Sequence, residues 1–325
     1  MARVNLIARD VGFGLSRDLR LLGTALTGRG HVVAVSAIGR GKLRKWLDPW
    51  RLRAGSALRR GSGPEFDLNL MLEEIRPEYF HLARRNVLLP NPEWFRPDTK
   101  PLLGRIDAVF AKTRHAETIF TRLGCRVVFT GFTSEDRYDP AVTRDRAFFH
   151  LAGRSRAKNT EPLLALWRRH PRWPRLTVVQ DSRTAPTAVT APNIEHRIDH
   201  VADAELRRLQ NAHWFALCPS QAEGFGHYLV EALGVGAATL TLDAAPMNEV
   251  VTRERGVLVP AVRTAALNMA EAYGFEDASM AQAIERMIGL GGAECDRIGA
   301  AARAWFIDND RAFPERLDAA IAALG

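Results

Sequence analysis

The chain has 325 residues, 46% of them hydrophobic and 25% charged, with a formal net charge of +8; this is the composition of a soluble globular protein long enough to bury a large core in two domains. No apolar run approaches the ~18 residues that a membrane span requires, and the opening M-A-R-V-N-L-I-A-R-D is broken by Arg9 and Asp10, unlike a signal peptide, so a cytoplasmic protein is expected. Cys125, Cys218 and Cys295 are odd in number, far apart and without a C-x-x-C pair, which argues against a disulfide framework and against a zinc site.

Residues 3–8 read as a buried strand, and the glycine turn Val11-Gly12-Phe13-Gly14-Leu15-Ser16 follows. Ser16 suits a helix N-cap, Leu19, Leu22 and Leu26 recur at helical spacing, and Gly28 and Gly30 end the helix before a second strand at 32–35. This βαβ unit places its glycine loop at a strand's carboxyl end, where ligands sit in open α/β sheets. A dinucleotide fingerprint is not met: Arg17 stands where the third glycine of G-x-G-x-x-G belongs, and no acid follows the second strand. Nicotinamide or flavin chemistry is therefore a minor reading.

The charge is local, since residues 40–60 hold eight basic residues against Asp48 and so carry +7 of the +8. Trp46 and Trp50 interleave with the cations. The segment fits a solvated loop, an anionic acceptor, or the inner membrane surface, where each basic residue contributes about 1 kcal/mol. No nucleic-acid motif accompanies it, so no nucleic-acid partner is expected.

Further strands are expected at 66–72, 86–89, 107–111 and 127–130, with helical stretches between, a spacing that indicates a parallel sheet. Two strand ends carry polar groups, Glu73 with Glu74, and Asn91 with Glu93 in Pro90-Asn91-Pro92-Glu93-Trp94. After the strand at 107–111 comes Lys112-Thr113-Arg114-His115, whose members fit either a ligand-facing role or the capping of the next helix.

A linker is expected at 139–145, then a strand at 148–152 and the loop Gly153-Arg154-Ser155-Arg156-Ala157-Lys158-Asn159. Leu164, Leu166 and Trp167 form the core side of the following helix, and 176–179 reads as another strand. Only five lysines occur among 45 basic residues, so Lys158 is less easily filler than an arginine at the same place.

The stretch 219–242 reads P-S-Q-A-E-G-F-G-H-Y-L-V-E-A-L-G-V-G-A-A-T-L-T-L. A strand at 214–217 leads in and a helix runs from about 226 to 233, which puts Gly224-Phe225-Gly226 at a strand-to-helix turn. Glycines admit close backbone approach, and unpaired helical N–H groups with the macrodipole favour an anion at such a turn. Glu223 and Glu231 would repel phosphate and so more readily accept hydrogen bonds from hydroxyls. A ligand with a phosphate in the middle and hydroxyl-rich groups at both ends would satisfy this, and a nucleotide sugar is such a molecule. Each part alone fits an ordinary turn with solvated acids; the constellation is what carries the reading.

This stretch resembles the donor-site motif of retaining glycosyltransferases of the GT-B fold, family 4 type (glycosyl transferases group 1), whose signature is P-S-x-x-E-G-F-G with Glu-x7-Glu. Residues 131–140 resemble the family's G-V-D-x-x-x-F-x-P segment, 153–159 its strand-G-R-...-K-G loop, 198–206 with His200 the segment bordering the nucleobase, and 243–250 with Glu249 its D-x5-E turn. The resemblance implies an α/β fold of GT-B type, two Rossmann-like parallel-sheet domains facing across a cleft: an acceptor-side domain at 1–140, a nucleotide-sugar-binding domain at 141–300, and a C-terminal helix at 301–325 crossing back to the first, with Pro314 expected to break it.

It implies transfer of a hexosyl-type sugar from a nucleoside diphosphate sugar to a glycan, lipid-linked or small-molecule acceptor, with retention. Arg154 and Lys158 would hold and neutralise the diphosphate, Arg156 being the alternative arginine; a guanidinium pairs with two phosphate oxygens and an ammonium sits between phosphates. Glu223 would orient the sugar, Glu231 would hold the ribose hydroxyls, the backbone of Gly224, Phe225, Gly226 and His227 would meet sugar and phosphate, and Gly12 and Gly14 would reach donor and acceptor. Asn91 stands where many such enzymes have histidine, and with Glu93 it marks the acceptor side; Asn159 replaces a glycine. No cofactor or required metal is expected. The alternative is a catalytically silent scaffold that adheres to membrane through 40–60.

Overall fold

The computed structural model describes residues 1–9, 13–38 and 63–325. Gly12 and the basic segment at 40–60 lie outside the described residues. The chain divides into two compact units, Met1–Thr133 with Asp310–Gly325, and Ser134–Asn309. The segment 139–145 thus belongs to the second unit.

In the first unit, β1 (Arg3–Arg9), α1 (Phe13–Gly28), β2 (Val32–Ile38), β3 (Phe66–Leu72), β4 (Ala83–Leu89), β5 (Ala108–Ala111), α2 (Arg114–Arg122) and β6 (Val127–Phe129) follow in chain order. The strands form one sheet in the order β2-β1-β3-β4-β5-β6, every neighbouring pair parallel. Val4, Leu6, Leu70, Val87, Val109 and Phe110 are all sealed from solvent, which is why these runs are apolar on both faces. Across the middle of the sheet the buried Asn5, Asn69 and Asn86 bond side chain to side chain, at 3.0 Å and 2.8 Å, which makes a slip in register costly.

Two expectations change here. The helix α1 opens at Phe13, so Ser16 lies inside it and is not its cap, and Gly14 lies in its first turn. The connections before β4 and β5 are 3-10 helices, Pro77–Leu82 and Pro97–Arg105, each starting on proline; Pro101 inside the second denies it an α-helical ladder.

In the second unit, β7 (Asp145–Gly153), α3 (Thr160–Arg169), β8 (Leu176–Gln180), β9 (Ile194–Arg197), α4 (Asp203–Ala212), β10 (His213–Cys218), α5 (His227–Gly234), β11 (Ala238–Leu242), α6 (Met247–Val250) and β12 (Gly256–Val259) follow one another. Their sheet has the order β12-β11-β10-β7-β8-β9, again all parallel. Counted within the unit this is 6-5-4-1-2-3, a doubly wound sheet whose strand order reverses between β7 and β10. Phe148 packs on Phe215 and Trp167 with ring centroids 4.6 Å and 5.0 Å away, and Leu164 and Leu166 are buried beside them.

An antiparallel hairpin, β13 (Val262–Leu267) and β14 (Ala270–Gly274), follows β12. Residues 262–266 are exposed on both faces, so β13 carries no alternating apolar signal. After α7 (Asp277–Gly289), α8 (Gly292–Ala322) runs unbroken through Pro314. That proline deprives the Asp310 carbonyl of its helical donor, but Phe313 and Leu317 on either side are sealed in the core and hold both turns in place. No helix of the described residues is long and apolar enough to cross a membrane.

Candidate functional site

The reversal between β7 and β10 gathers the loops that follow those two strands. Leaving β7, the chain turns at Gly153 (φ 56°) and reaches Asn159, which takes a left-handed φ of 51° as it enters α3. Asparagine tolerates that region better than other side-chain-bearing residues, so it can stand where the resembling loop has glycine. Its side chain adds what glycine lacks. Asn159 Nδ2 donates to the carbonyls of Pro219 (2.8 Å) and Tyr273 (3.1 Å), and its Oδ1 accepts from Gln221 Nε2 (3.1 Å). The Gln221 backbone N–H donates to the Ala157 carbonyl (2.9 Å). The β7 loop, the β10 loop and β14 are tied at one residue.

That tie places Lys158 against the start of α5. Its ammonium donates to Glu223 Oε1 and to Ser220 Oγ (3.2 Å) and lies 3.4 Å from the centre of the Tyr228 ring. Ser220 Oγ also donates to Glu223 Oε1 and meets the Tyr228 hydroxyl. Lys158 and Glu223 side chains are each 14% exposed, so they form a largely desolvated cluster that still meets solvent. Burial pushes the Tyr228 hydroxyl well above its ordinary pKa, so it stays protonated.

The turn itself needs its glycine: Gly226 has φ 85°, and a Cβ there would stand 2.6 Å from Leu229 Cδ1. Gly224 and Phe225 are buried, while His227 is held by Ser134 Oγ against its Nδ1 (2.6 Å).

Glu231 lies one helical turn beyond Tyr228 and is only 1% exposed. Its Oε2 accepts from Gln210 Nε2 (2.9 Å), and Gln210 in turn accepts from the buried Arg137 guanidinium, which reaches Asp203 Oδ1 (2.9 Å). Glu231 is the inner end of a buried polar chain. The Cys218 thiol, raised by burial, feels Lys158, Glu223 and Glu231 together, which puts all three around the end of β10.

The arginines divide differently. Arg154 is 48% exposed and its Nε donates to Asp181 Oδ2 (2.8 Å), just after β8. Asp181 also takes Arg183, and these hydrogen bonds hold its carboxyl well below the usual range. Arg156 is exposed and has no ion pair among the described residues. His200 is exposed and Glu249 is half-buried on α6.

On the first unit, Asn91 Nδ2 donates to Glu73 Oε1 (3.0 Å), and Glu93 is buried. Thr113 caps α2 through Ala116 N (3.1 Å), while Lys112 turns inward to Asp18 (2.7 Å). Ser220, Tyr228, Gln210 and Asp181 belong to the second unit's cluster and its supports, and the sequence reading did not single them out. Ser220 could have been found within the P-S motif and Tyr228 from its i, i+3 relation to Glu231; Gln210 carried no signal.

Two units, each a parallel six-stranded sheet with connecting helices, make the GT-B fold. No protein-family model matches the chain, and no curated protein sequence does. Among solved structures, a glycosyltransferase from Rickettsia africae ESF-5 is similar at 14% identity with a TM-score of 0.74, covering 99% of this chain and 98% of that one. Sucrose-phosphate synthase from Thermosynechococcus elongatus matches at 15% identity and TM-score 0.73, covering 100% and 99%. Anabaena HepE, solved in complex with UDP and glucose, matches at 16% identity and TM-score 0.70, covering 99% and 100%. These neighbours are GT-B glycosyltransferases, and at such identities the likeness is one of fold.

Proposed function

We propose that the protein transfers a glycosyl group from a nucleoside diphosphate sugar to an acceptor hydroxyl, with the donor bound at the strand-order reversal of the second unit. The observation that carries this reading is the Lys158–Glu223–Ser220–Tyr228 cluster at the carboxyl ends of β7 and β10, where doubly wound sheets bind ligands. In the reaction the bond from the anomeric carbon to the diphosphate breaks, a bond to the acceptor oxygen forms, and the acceptor proton leaves. Negative charge builds on the departing diphosphate.

Lys158 supplies a preorganised cation for that charge. Its present partner, Glu223, is then released to accept a hydroxyl of the sugar. Arg156, with no ion pair among the described residues, and Arg154, held by Asp181, are the guanidinium candidates for the phosphates. Glu231 with Gln210 offers the ribose hydroxyls a carboxylate and an amide. The turn from Gly224 to His227 brings backbone close to sugar and phosphate. With these cations in place the reading calls for no metal. Retention at the anomeric carbon and the hexosyl character of the sugar follow from the family resemblance.

The test compares Lys158→Ala with Glu231→Gln. Lys158→Ala should lower kcat roughly a hundredfold or more with a smaller change in donor KM, and Glu231→Gln should raise the UDP dissociation constant about tenfold. Wild-type turnover and affinity in both variants would defeat the assignment.

A further inference from the structure

Lys158 has two kinds of partner in the second unit's cluster, and they answer differently to an arriving diphosphate. Its ammonium donates to Glu223 Oε1 and to Ser220 Oγ (3.2 Å), and it stands 3.4 Å from the centre of the Tyr228 ring. A carboxylate competes with phosphate oxygens for the same N–H groups. The face of a phenol ring attracts an ammonium through its quadrupole and sets no net charge beside a phosphate. Of these partners, the ring is compatible with a bound diphosphate and the carboxylate is its rival.

The ring is fixed at both ends. Tyr228 is 7% exposed in the first turn of α5, and the next two residues, Leu229 and Val230, are sealed in the core. Its hydroxyl bond has one direction. An ammonium only donates and a carboxylate only accepts, so Ser220, whose single hydrogen goes to Glu223 Oε1, accepts from Lys158 and from the Tyr228 hydroxyl. Burial keeps that hydroxyl protonated, and the ring therefore meets the ammonium as a neutral face. The lysine backbone is held as well, because the neighbouring Asn159 side chain bonds the carbonyls of Pro219 and Tyr273.

We propose that Tyr228 is a positioning residue for donor binding: its ring, rather than Glu223, keeps the Lys158 ammonium in the site once a nucleoside diphosphate is bound. The ammonium turns from the carboxylate to the phosphates while remaining over the ring. Ser220 stays on Glu223 Oε1 and orients the carboxylate that the lysine has left. This rests on the donor site proposed above.

Lysine is scarce enough in this chain to be watched singly: there are five, Lys42, Lys45, Lys100, Lys112 and Lys158. In the full chain labelled with lysine carrying 13C at Cε, the Lys158 Hε signal, assigned by its loss in Lys158→Arg, should lie upfield through the Tyr228 ring current. Lys112, 4.7 Å from the centre of the Phe132 ring, supplies an internal comparison that Tyr228 substitutions leave in place. UDP, GDP, ADP, CDP and dTDP are added in turn, with binding read from the thermal midpoint. With a diphosphate bound, the Lys158 signal should stay upfield in the wild type and in Tyr228→Phe, and move to the ordinary lysine position in Tyr228→Leu. Tyr228→Leu should also weaken that diphosphate about fivefold, but by under about twofold when Lys158→Met is already present. An equal loss in the two backgrounds would mean that Tyr228 acts only on the fold, and it overturns the proposal. So does loss of the upfield position on binding in the wild type, a result that does not depend on whether Tyr228→Leu folds. Binding with that position lost removes this proposal alone; no binding by any of the five removes the donor assignment and this proposal with it.

Discussion

His150 stands on β7 with Nδ1 against the Leu217 carbonyl (2.7 Å) and Nε2 against Thr160 Oγ1 (2.9 Å), so one buried ring ties β7 to β10 and to the start of α3. Burial lowers its pKa to about 4, whereas in the unfolded chain it titrates near 6.5. The unfolded chain therefore takes the proton first. This contribution is intact above pH 6.5 and falls as pH drops toward 4, by about 3 kcal/mol in all. Denaturant midpoints of wild type and His150→Gln should diverge over that window, with the wild type the steeper; parallel curves would contradict the assignment. Asn159 gives a second residue-scale test. Asn159→Ala should destabilise more than Asn159→Gly, by about 1 kcal/mol, because only glycine keeps the left-handed turn at low cost. Equal losses would mean that the three side-chain hydrogen bonds alone matter.

At the scale of elements, what was legible in the sequence was what repeats or is spaced. Strands buried on both faces announce themselves as apolar runs, and β3 and β8 fall where those runs predict. The turn before α5 was legible because its glycine has one geometry: Gly226→Ala should cost about 1–3 kcal/mol, from the positive φ and the displaced Leu229, and an unchanged thermal midpoint would contradict this. Other parts gave no pattern. The exposed β13 has no apolar face, the 3-10 connections are too short for a helical period, and α8 passes a proline because its flanking residues are buried, a fact of packing that no local rule contains. Likewise the motif pointed to Lys158, Glu223 and Glu231. The hydrogen bond that holds Glu231 comes from Gln210, itself held by Arg137, on distant parts of the chain, and the Asp181 tether of Arg154 from another strand end.

At the scale of the whole molecule, each unit is a parallel sheet that reverses strand order once, and each reversal carries the polar cluster of its unit: Lys158 with Glu223 between β7 and β10, and Glu73 with Asn91 beside β1 and β3. The two clusters differ in chemistry. The first sets a lysine among a carboxylate, a hydroxyl and an aromatic ring; the second sets a half-buried carboxyl against an asparagine amide. The most direct measurement is the thermal midpoint with UDP, GDP, ADP, CDP and dTDP in turn, since a ligand raises apparent stability only if the folded chain binds it. The account predicts that at least one nucleoside diphosphate raises the wild-type midpoint and that the rise shrinks in Glu231→Gln; no rise with any of the five, or an equal rise in the variant, would contradict it.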